Sequence, residues 1–273
     1  MASLQERPAW PLREESIEAV VHLAARVHVM DESEPDPDLA FRRANVDATR
    51  SLADQCVRAN ISRFVYVSSV KAVGEGRDRP YSEDDPCRPA NPYGRTKFAA
   101  EQALEAVARG AEMEYVILRP TVMYGQGVGG NLRRLMELTW RRVPMPFGAV
   151  RNQRSLLSVE SFADCVERSV VSTKAANRSF LAADAKPLST PEIIQAMGEG
   201  MRRRARLVAV PPSLIRAFAK AAGHAASADR LLGSLVVETA SLETAVGWAP
   251  DRDPQAGLRA VAAGFAEERT ARS

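Results

Sequence analysis

Tyr93 and Lys97 lie four residues apart in the segment NPYGRTKF, and together they could carry out acid–base chemistry. If the segment begins a helix, both side chains project from the same helix face. A free tyrosine titrates near pH ~10. A neighbouring ammonium group favours the phenolate, so the pair could accept or donate a proton near neutral pH. The same spacing also fits two surface side chains with no chemical role.

Ser68 and Ser69 follow the apolar run RFVYV, which is typical of a buried strand. In a doubly wound sheet, ligands bind beyond the carboxyl ends of the strands. A serine hydroxyl at this edge could therefore hold a substrate oxygen near Tyr93. Alternatively, the two serines only terminate the strand.

The elements that must position these residues alternate along the first half of the chain. The sequence predicts strands at VVHLAA (residues 20–25), RFVYVSSV and EYVILRP, and helices from about Leu39 to Ala59 and over NPYGRTKFAAEQALEAVARG, the latter closed by Gly110. An acidic loop, DESEPDPD, separates the first strand from the first helix. This order predicts an α/β fold with a doubly wound, Rossmann-type parallel sheet.

The pattern changes from Asn131 onward. The sequence predicts helices at NLRRLMELTWRR, ESFADCVERSVVS and TPEIIQAM, strands at RSLLSV, RSFLAA and RLVAV, and a C-terminal helical stretch. We therefore expect residues 1–130 to be a partial dinucleotide-binding domain. Residues 131–273 are expected to be mainly a smaller substrate-binding lobe, interleaved with the last strands of the sheet.

The composition limits the classes of function. The chain has 273 residues, 45% hydrophobic and 26% charged, with a net charge of +3 and a pI near 8.9. This mild, dispersed basicity suits an anionic small molecule better than a nucleic acid. The densest basic run, RRRAR at Arg202 to Arg206, is interpreted as a solvated helix end.

Neither a metal site nor a membrane segment is indicated. Cys56, Cys87 and Cys165 are far apart and lack a CxxC pair, so we expect neither disulfides nor zinc. No apolar signal core is visible, and no apolar run reaches the ~18 residues that a membrane span needs. We expect a cytoplasmic protein, and its oligomeric state is open, with a homodimer as one option.

Six segments, in order, resemble one family. The segments VVHLAA, NVDATRSL, RFVYVSS, NPYGRTK, LRPTVMYGQG and RSLLSVESFAD are similar to the successive motifs of extended short-chain dehydrogenases/reductases, the NAD-dependent epimerase/dehydratase family that acts on nucleotide sugars. The resemblance runs from about residue 16 to the C-terminus.

The resemblance implies roles for individual residues. The implied catalytic residues are Ser69, Tyr93 and Lys97. The implied cofactor-binding residues are Ala24, Ala25, Asn45, Ser68, Tyr93, Lys97 and Pro120, for NAD or NADP, and the implied substrate-binding residues are Lys71, Asn131, Arg154 and Arg230. The arginine fork suits a diphosphate. Alternatively, the arginines are solvated surface residues and Lys71 is an inert edge residue.

The position after the catalytic serine narrows the expected activity. Dehydratases of the family carry an acidic pair there, whereas this chain has Val70 and Lys71. The chain is more similar to bacterial 4-ketosugar reductases and epimerases of surface-polysaccharide synthesis. The resemblance therefore implies reduction or epimerisation at C4 of a UDP-sugar.

One expected segment is missing from the sequence. The family begins with a strand, a TGxxGxxG loop and a helix, whose backbone amides hold the cofactor pyrophosphate, and no such loop precedes VVHLAA. VVHLAA is then expected to be an exposed edge strand, and this chain is expected to bind NAD(P) poorly and to be inactive. The segment that would distinguish NAD from NADP is also absent.

Two other functions remain open. The chain could be a non-catalytic UDP-sugar-binding protein or a remnant that has lost cofactor binding. A reductase of steroid-like or aryl substrates would share the Tyr-Lys pair, but it would not bind UDP.

Overall fold

The main sheet is parallel and forms at the predicted strands. The computed structural model describes residues 10, 12, 17–27, 36–223 and 225–271, and its strands are β1 (Ala19–His22), β2 (Arg63–Val67), β3 (Glu114–Pro120), β4 (Val122–Tyr124), β5 (Leu156–Ser158) and β6 (Arg178–Ala182). Within these residues, β1, β2, β3 and β6 form one parallel sheet in that order, and β4 pairs with β5 in a second. The predicted α/β class with a parallel sheet is confirmed.

Helices connect the strands and dominate the second half of the chain. They are α1 (Pro37–Phe41), α2 (Ala48–Arg58), α3 (Pro92–Ala108), α4 (Gly130–Trp140), α5 (Val159–Val171), α6 (Thr190–Gly200), α7 (Pro212–Ala221), α8 (Ala225–Leu232), α9 (Ala240–Val246) and α10 (Pro254–Ala271). A π-helical stretch, Arg42–Asp47, joins α1 to α2. In the described part of the chain, none of these helices is long and apolar enough to cross a membrane.

Different helices cover the two faces of the main sheet. Phe64 and Tyr66 pack with residues of α2 and α3, whereas Val65 and Val67 pack with residues of α5 and α9. All five residues of β2 are buried. Since successive strand side chains point to opposite faces, a strand covered on both faces is apolar at consecutive positions.

The first strand is shorter than VVHLAA predicts, and it is partly exposed. β1 ends at His22, Val21 is 37% exposed and Leu23 is 63% exposed. Among the described residues β1 pairs only with β2. Within the described residues β1 therefore lies at an exposed edge of the sheet, as expected from the sequence. Residues 28–35, which include most of the predicted acidic loop, lie outside the described residues.

The predicted strand RLVAV, residues 206–210, is wrong. The segment is extended, but only Leu207 forms a bridge, with Met145 in the loop after α4. Val208 is 49% exposed. Pro211 and Pro212 follow directly, and proline cannot donate to a strand ladder, so pairing does not continue.

Candidate active site

Helix α3 brings Tyr93 and Lys97 to the carboxyl edge of the main sheet. Asn91 caps the helix by accepting a hydrogen bond from the backbone N–H of Gly94 (2.8 Å). Gly110, with φ of 130°, follows the last turn, in the position where glycine most readily adopts such a backbone. Both predicted ends of this helix are confirmed.

Gly94 allows the first turn of α3 to approach the loop after β2. A Cβ atom at this position would lie 2.3 Å from the backbone carbonyl oxygen of Lys71. Because the contact is with backbone, a larger residue would have to move the helix or the loop. Sequence reasoning did not select Gly94, since the need for glycine comes from a contact between distant segments.

Lys97 is completely buried at the end of β2. Its ammonium group donates a hydrogen bond to the carbonyl oxygen of Val67 (2.7 Å) and lies 4.2 Å from the ring centroid of Tyr66. Burial lowers the pKa of Lys97 to about 7, and the charge of Glu101 opposes this shift. An ammonium group has three N–H donors, so donors remain after the bond to Val67.

Tyr93 interacts with Ser69, as the proposed chemistry requires. Burial raises the pKa of Tyr93, and a side-chain hydrogen bond with Ser69 opposes the rise. The oxygen of Ser69 also accepts from the backbone N–H of Lys71 (3.2 Å) at the start of a short 3₁₀ turn. The expected lowering of the Tyr93 pKa by Lys97 is therefore wrong for this structure, because burial disfavours the phenolate more strongly.

Ser68 belongs to a buried polar cluster rather than to the cavity. Its hydroxyl donates a hydrogen bond to the carboxylate of Glu101, which also pairs with the guanidinium of Arg119 (2.7 Å). All three residues are at least nine-tenths buried. The sequence did not reveal this cluster, although Glu101 follows Lys97 by one helical turn and Arg119 is next to last in the predicted strand EYVILRP.

One cavity of about 330 Å³ gathers six of the predicted site residues. They are Ser69, Lys71, Tyr93, Asn131, Arg154 and Arg230. Apolar residues that the sequence analysis missed complete the wall, among them Val122, Met123, Leu132 and Ile193. The loop after β2 and the elements α3, β4, α4, α6 and α8 thus contribute to a single site.

Three cations of this cavity act on one another. Burial lowers the pKa of Lys71, the charges of Arg154 and Arg230 act in the same direction, and Glu75 opposes them. Lys71 forms an ion pair with Glu75, and Arg154 donates a hydrogen bond to the carbonyl oxygen of Gly233 (3.0 Å). The cavity therefore holds more positive than negative charge.

The remaining predicted cofactor residues lie outside this cavity. Ala24 and Ala25 follow β1, and Val27 of the same segment lines the cavity instead. Pro120 ends β3 and is buried. Their predicted contacts with a cofactor stay predictions.

Asn45 connects two segments near the cavity. Its amide group accepts from the backbone N–H of Arg26 (2.7 Å) and donates to the carbonyl oxygen of Arg26 (3.1 Å) and to the hydroxyl of Thr96 (3.1 Å). These bonds tie the segment after β1 to helix α3. Asn45 thus supports the site through its contacts with the chain, and its predicted role in cofactor binding stays a prediction.

The comparison with known proteins decides the family. A family model described as the NAD dependent epimerase/dehydratase family matches residues 10–180. The chain belongs to this family. The predicted membership in the epimerase/dehydratase family is confirmed.

Curated and solved relatives agree with this assignment. UDP-glucose 4-epimerase of Vibrio cholerae is 36% identical over 258 residues, which are 93% of this chain and 78% of that protein. The structure of MoeE5 in complex with UDP-glucuronic acid and NAD is 23% identical, with a TM-score of 0.74 over 98% of this chain and 85% of that one. RMD from Pseudomonas aeruginosa complexed with NADPH is 19% identical, with a TM-score of 0.76 over 98% and 88%. These two likenesses confirm the predicted Rossmann-type fold.

Proposed function

We propose that the chain binds a UDP-sugar and that a form which also carries the TGxxGxxG segment exchanges hydride, with NAD or NADP, at C4 of the sugar as a 4-epimerase or a 4-ketosugar reductase. The observation that carries the proposal is that one cavity contains the Ser69–Tyr93 pair together with Arg154 and Arg230. The 36% identity to a UDP-glucose 4-epimerase favours epimerisation. The proposed place of this activity in surface-polysaccharide synthesis rests on the sequence resemblance.

The cations of the cavity suit the diphosphate of the substrate. Guanidinium groups bind phosphate oxygens through paired, charge-assisted hydrogen bonds. Arg154 and Arg230 come from the second half of the chain, whereas Ser69 and Tyr93 come from the first. We infer that the diphosphate contacts the two arginines while the sugar reaches the Ser69–Tyr93 pair, and that the chain takes up a UDP-sugar as a small-molecule partner.

The residues present fit the nicotinamide end of the cofactor. The hydroxyl of Thr121, at the carboxyl end of β3, is buried in the cavity wall, and within the described ranges it has no hydrogen-bond partner. Lys97 has spare donors for ribose hydroxyls, and Tyr93 is near enough to Ser69 to share a substrate oxygen. The nicotinamide would supply the hydride donor or acceptor.

The pKa of Tyr93 favours one direction of proton transfer. Because burial raises that pKa, Tyr93 is protonated at neutral pH and is ready to give its proton to a C4 oxygen that receives negative charge during reduction. Ser69 would donate a hydrogen bond to the same oxygen. For oxidation of a C4 hydroxyl, Tyr93 must first lose its proton, which positive charge at the site would favour.

A binding measurement and an activity measurement test this proposal. Calorimetry with UDP, alone and with the Arg154→Ala and Arg230→Ala variants, measures substrate binding; we expect each variant to weaken it about tenfold or more. Chromatography of UDP-glucose and UDP-N-acetylglucosamine incubated with NAD, and absorbance of NADPH with a UDP-4-keto-6-deoxy sugar, measure the reaction of the form that carries the TGxxGxxG segment, and every turnover measurement uses that form. UDP binding without either reaction would overturn the catalytic proposal and support the binding protein. No UDP binding would overturn both and favour a different reductase substrate.

A further inference from the structure

A second pocket lies between the ends of α4 and α6, outside the cavity already described. It has a volume of about 430 Å³ and is lined by Trp140, Arg142, Met201, Arg202, Arg203, Arg204, Ala266 and Thr270. The run RRRAR, interpreted from the sequence as a solvated helix end, supplies three of its arginines. No carboxylate is among these lining residues.

Two helix ends of similar geometry place Arg142 and Arg202 at this pocket. At the end of α4, the backbone N–H of Arg142 donates to the carbonyl oxygen of Thr139 (3.0 Å). At the end of α6, the backbone N–H of Arg202 donates to the backbone carbonyl oxygen of Glu199 (3.0 Å). Arg142 and Arg202 both have positive φ, 57° and 52°. Glycine is the residue that this position favours, so the backbone alone does not account for arginine at both.

The acidic residues nearest in sequence are engaged elsewhere. Glu137 of α4 pairs with Arg133 and Arg269, and Glu199 of α6 pairs with Arg259. Among the described residues, no ion pair joins a carboxylate to Arg142, Arg202 or Arg204. The two helix C-termini contribute a negative charge of about −0.5 each. The four guanidinium groups of the pocket carry more positive charge than this, so the pocket is positively charged.

We propose that this pocket binds a compact oligophosphate anion, such as pyrophosphate or the phosphate chain of a nucleotide, at a site separate from the sugar cavity. Guanidinium forks match phosphate oxygens, and four of them suit a multiply charged group. Arg203 lies 3.8 Å from the ring centroid of Trp140, so the indole face is covered by a cation. The pocket thus recognises the phosphates rather than a base. Its limited volume, with paired acids beside it, fits a small anion better than a polymer.

Trp140 lines the pocket, so its fluorescence can report binding there. The chain has three tryptophans. Trp248 is buried, the backbone N–H of Trp10 donates to the side chain of Gln55 in α2, and only Trp140 lines this pocket. Pyrophosphate titrated into the chain at constant ionic strength is expected to change the fluorescence of the protein. The Trp140→Phe variant is expected to lose that change while calorimetry still detects binding.

Glycine substitutions separate recognition from folding. Because Arg142 and Arg202 have positive φ, Arg142→Gly with Arg202→Gly removes two charges while keeping a favoured backbone; we expect at least tenfold weaker pyrophosphate binding with no loss in Tm. Arg50→Ala, at an exposed position of α2, is the matched control and is expected to bind normally.

Four results would overturn this proposal. They are unchanged pyrophosphate affinity in the double glycine variant, equal loss in Arg50→Ala, an equal response to sulfate at matched ionic strength, and a response to single-stranded RNA but not to pyrophosphate. ADP and GDP that change the fluorescence of Trp140 with affinities close to that of pyrophosphate would support recognition of the phosphate chain. A strong preference for one base would contradict it.

Discussion

The hydroxyl of Ser68 donates a hydrogen bond to the buried carboxylate of Glu101, whereas the next residue, Ser69, lines the cavity beside Tyr93. Successive side chains at the end of a strand point in opposite directions. Two serines that look equivalent in the sequence are therefore expected to have different roles, Ser68 in stability and Ser69 in the reaction.

Alanine substitutions at the two serines should separate stability from turnover. We expect Ser68→Ala to lower the free energy of unfolding by about 1–3 kcal/mol, because it removes a donor from a buried carboxylate. Ser69→Ala should instead lower turnover of a UDP-sugar with little change in urea unfolding. Equal loss of turnover in both variants, with equal stability, would contradict this assignment.

Tyr93→Phe tests the proton transfer. The variant keeps the ring and loses only the hydroxyl, so we expect turnover to fall by ~100-fold or more while UDP affinity and Tm stay close to those of the parent. Stopped-flow absorbance of the nicotinamide measures the rate, and calorimetry measures UDP binding. A loss of only a few-fold would remove Tyr93 from the reaction.

Gly94→Ala should damage the site through the backbone. The added Cβ would lie 2.3 Å from the carbonyl oxygen of Lys71, so α3 or the loop after β2 must shift. Since Tyr93 and Lys71 are carried by those two segments, we expect a fall in UDP affinity as well as in turnover, together with a lower Tm. Parent-like values of all three would show that the two segments are not in this contact in solution.

His22 should make stability depend on pH. Burial lowers the pKa of His22 to about 4, with the charge of Lys97 acting in the same direction. The unfolded chain binds more protons between pH 4 and pH 6.5, so stability is complete above pH 6.5 and falls as the pH drops towards 4. The ring stacks on Tyr66 at 5.5 Å and lies 3.0 Å from the hydroxyl of Thr49.

The variant His22→Asn isolates this effect from the titration of carboxylates. We expect the difference in the free energy of unfolding between the parent and His22→Asn to fall by about 3 kcal/mol between pH 7 and pH 4. The reason is that folding lowers the pKa of His22 from 6.5 to about 4, and each pKa unit is worth about 1.36 kcal/mol. Urea unfolding at a series of pH values measures it. A pH-independent difference would mean that His22 titrates normally.

Glu101→Gln should be far more costly than breaking an exposed pair. The substitution leaves the buried guanidinium of Arg119 without its anion, and such losses amount to about 3–5 kcal/mol. The exposed pair of Arg168 and Asp164 (2.8 Å) is the control, and Asp164→Asn should leave urea unfolding almost unchanged. Similar effects at both positions would show that the Glu101–Arg119 pair is hydrated.

Local sequence was enough to predict the elements that build the site. The Asn91 cap and the glycine after α3, the apolar run of β2, and the Tyr93–Lys97 spacing all depend on neighbours within a few residues, where conformational preferences act. The same reasoning predicted a strand at residues 206–210, which failed because strand formation needs a partner strand.

Contacts between distant segments decided the rest. Ser68 differs from Ser69 because its hydroxyl bonds to the carboxylate of Glu101, thirty-three residues away. Glycine is needed at position 94 because of a carbonyl group in another loop. The pKa of Tyr93 is raised because folding buries its side chain. The two arginine-bearing helix ends are sixty residues apart in the sequence, and only packing brings them to one pocket. Desolvation and charge pairing depend on distances that exist only in the folded chain, so no periodicity or spacing in the sequence could reveal them.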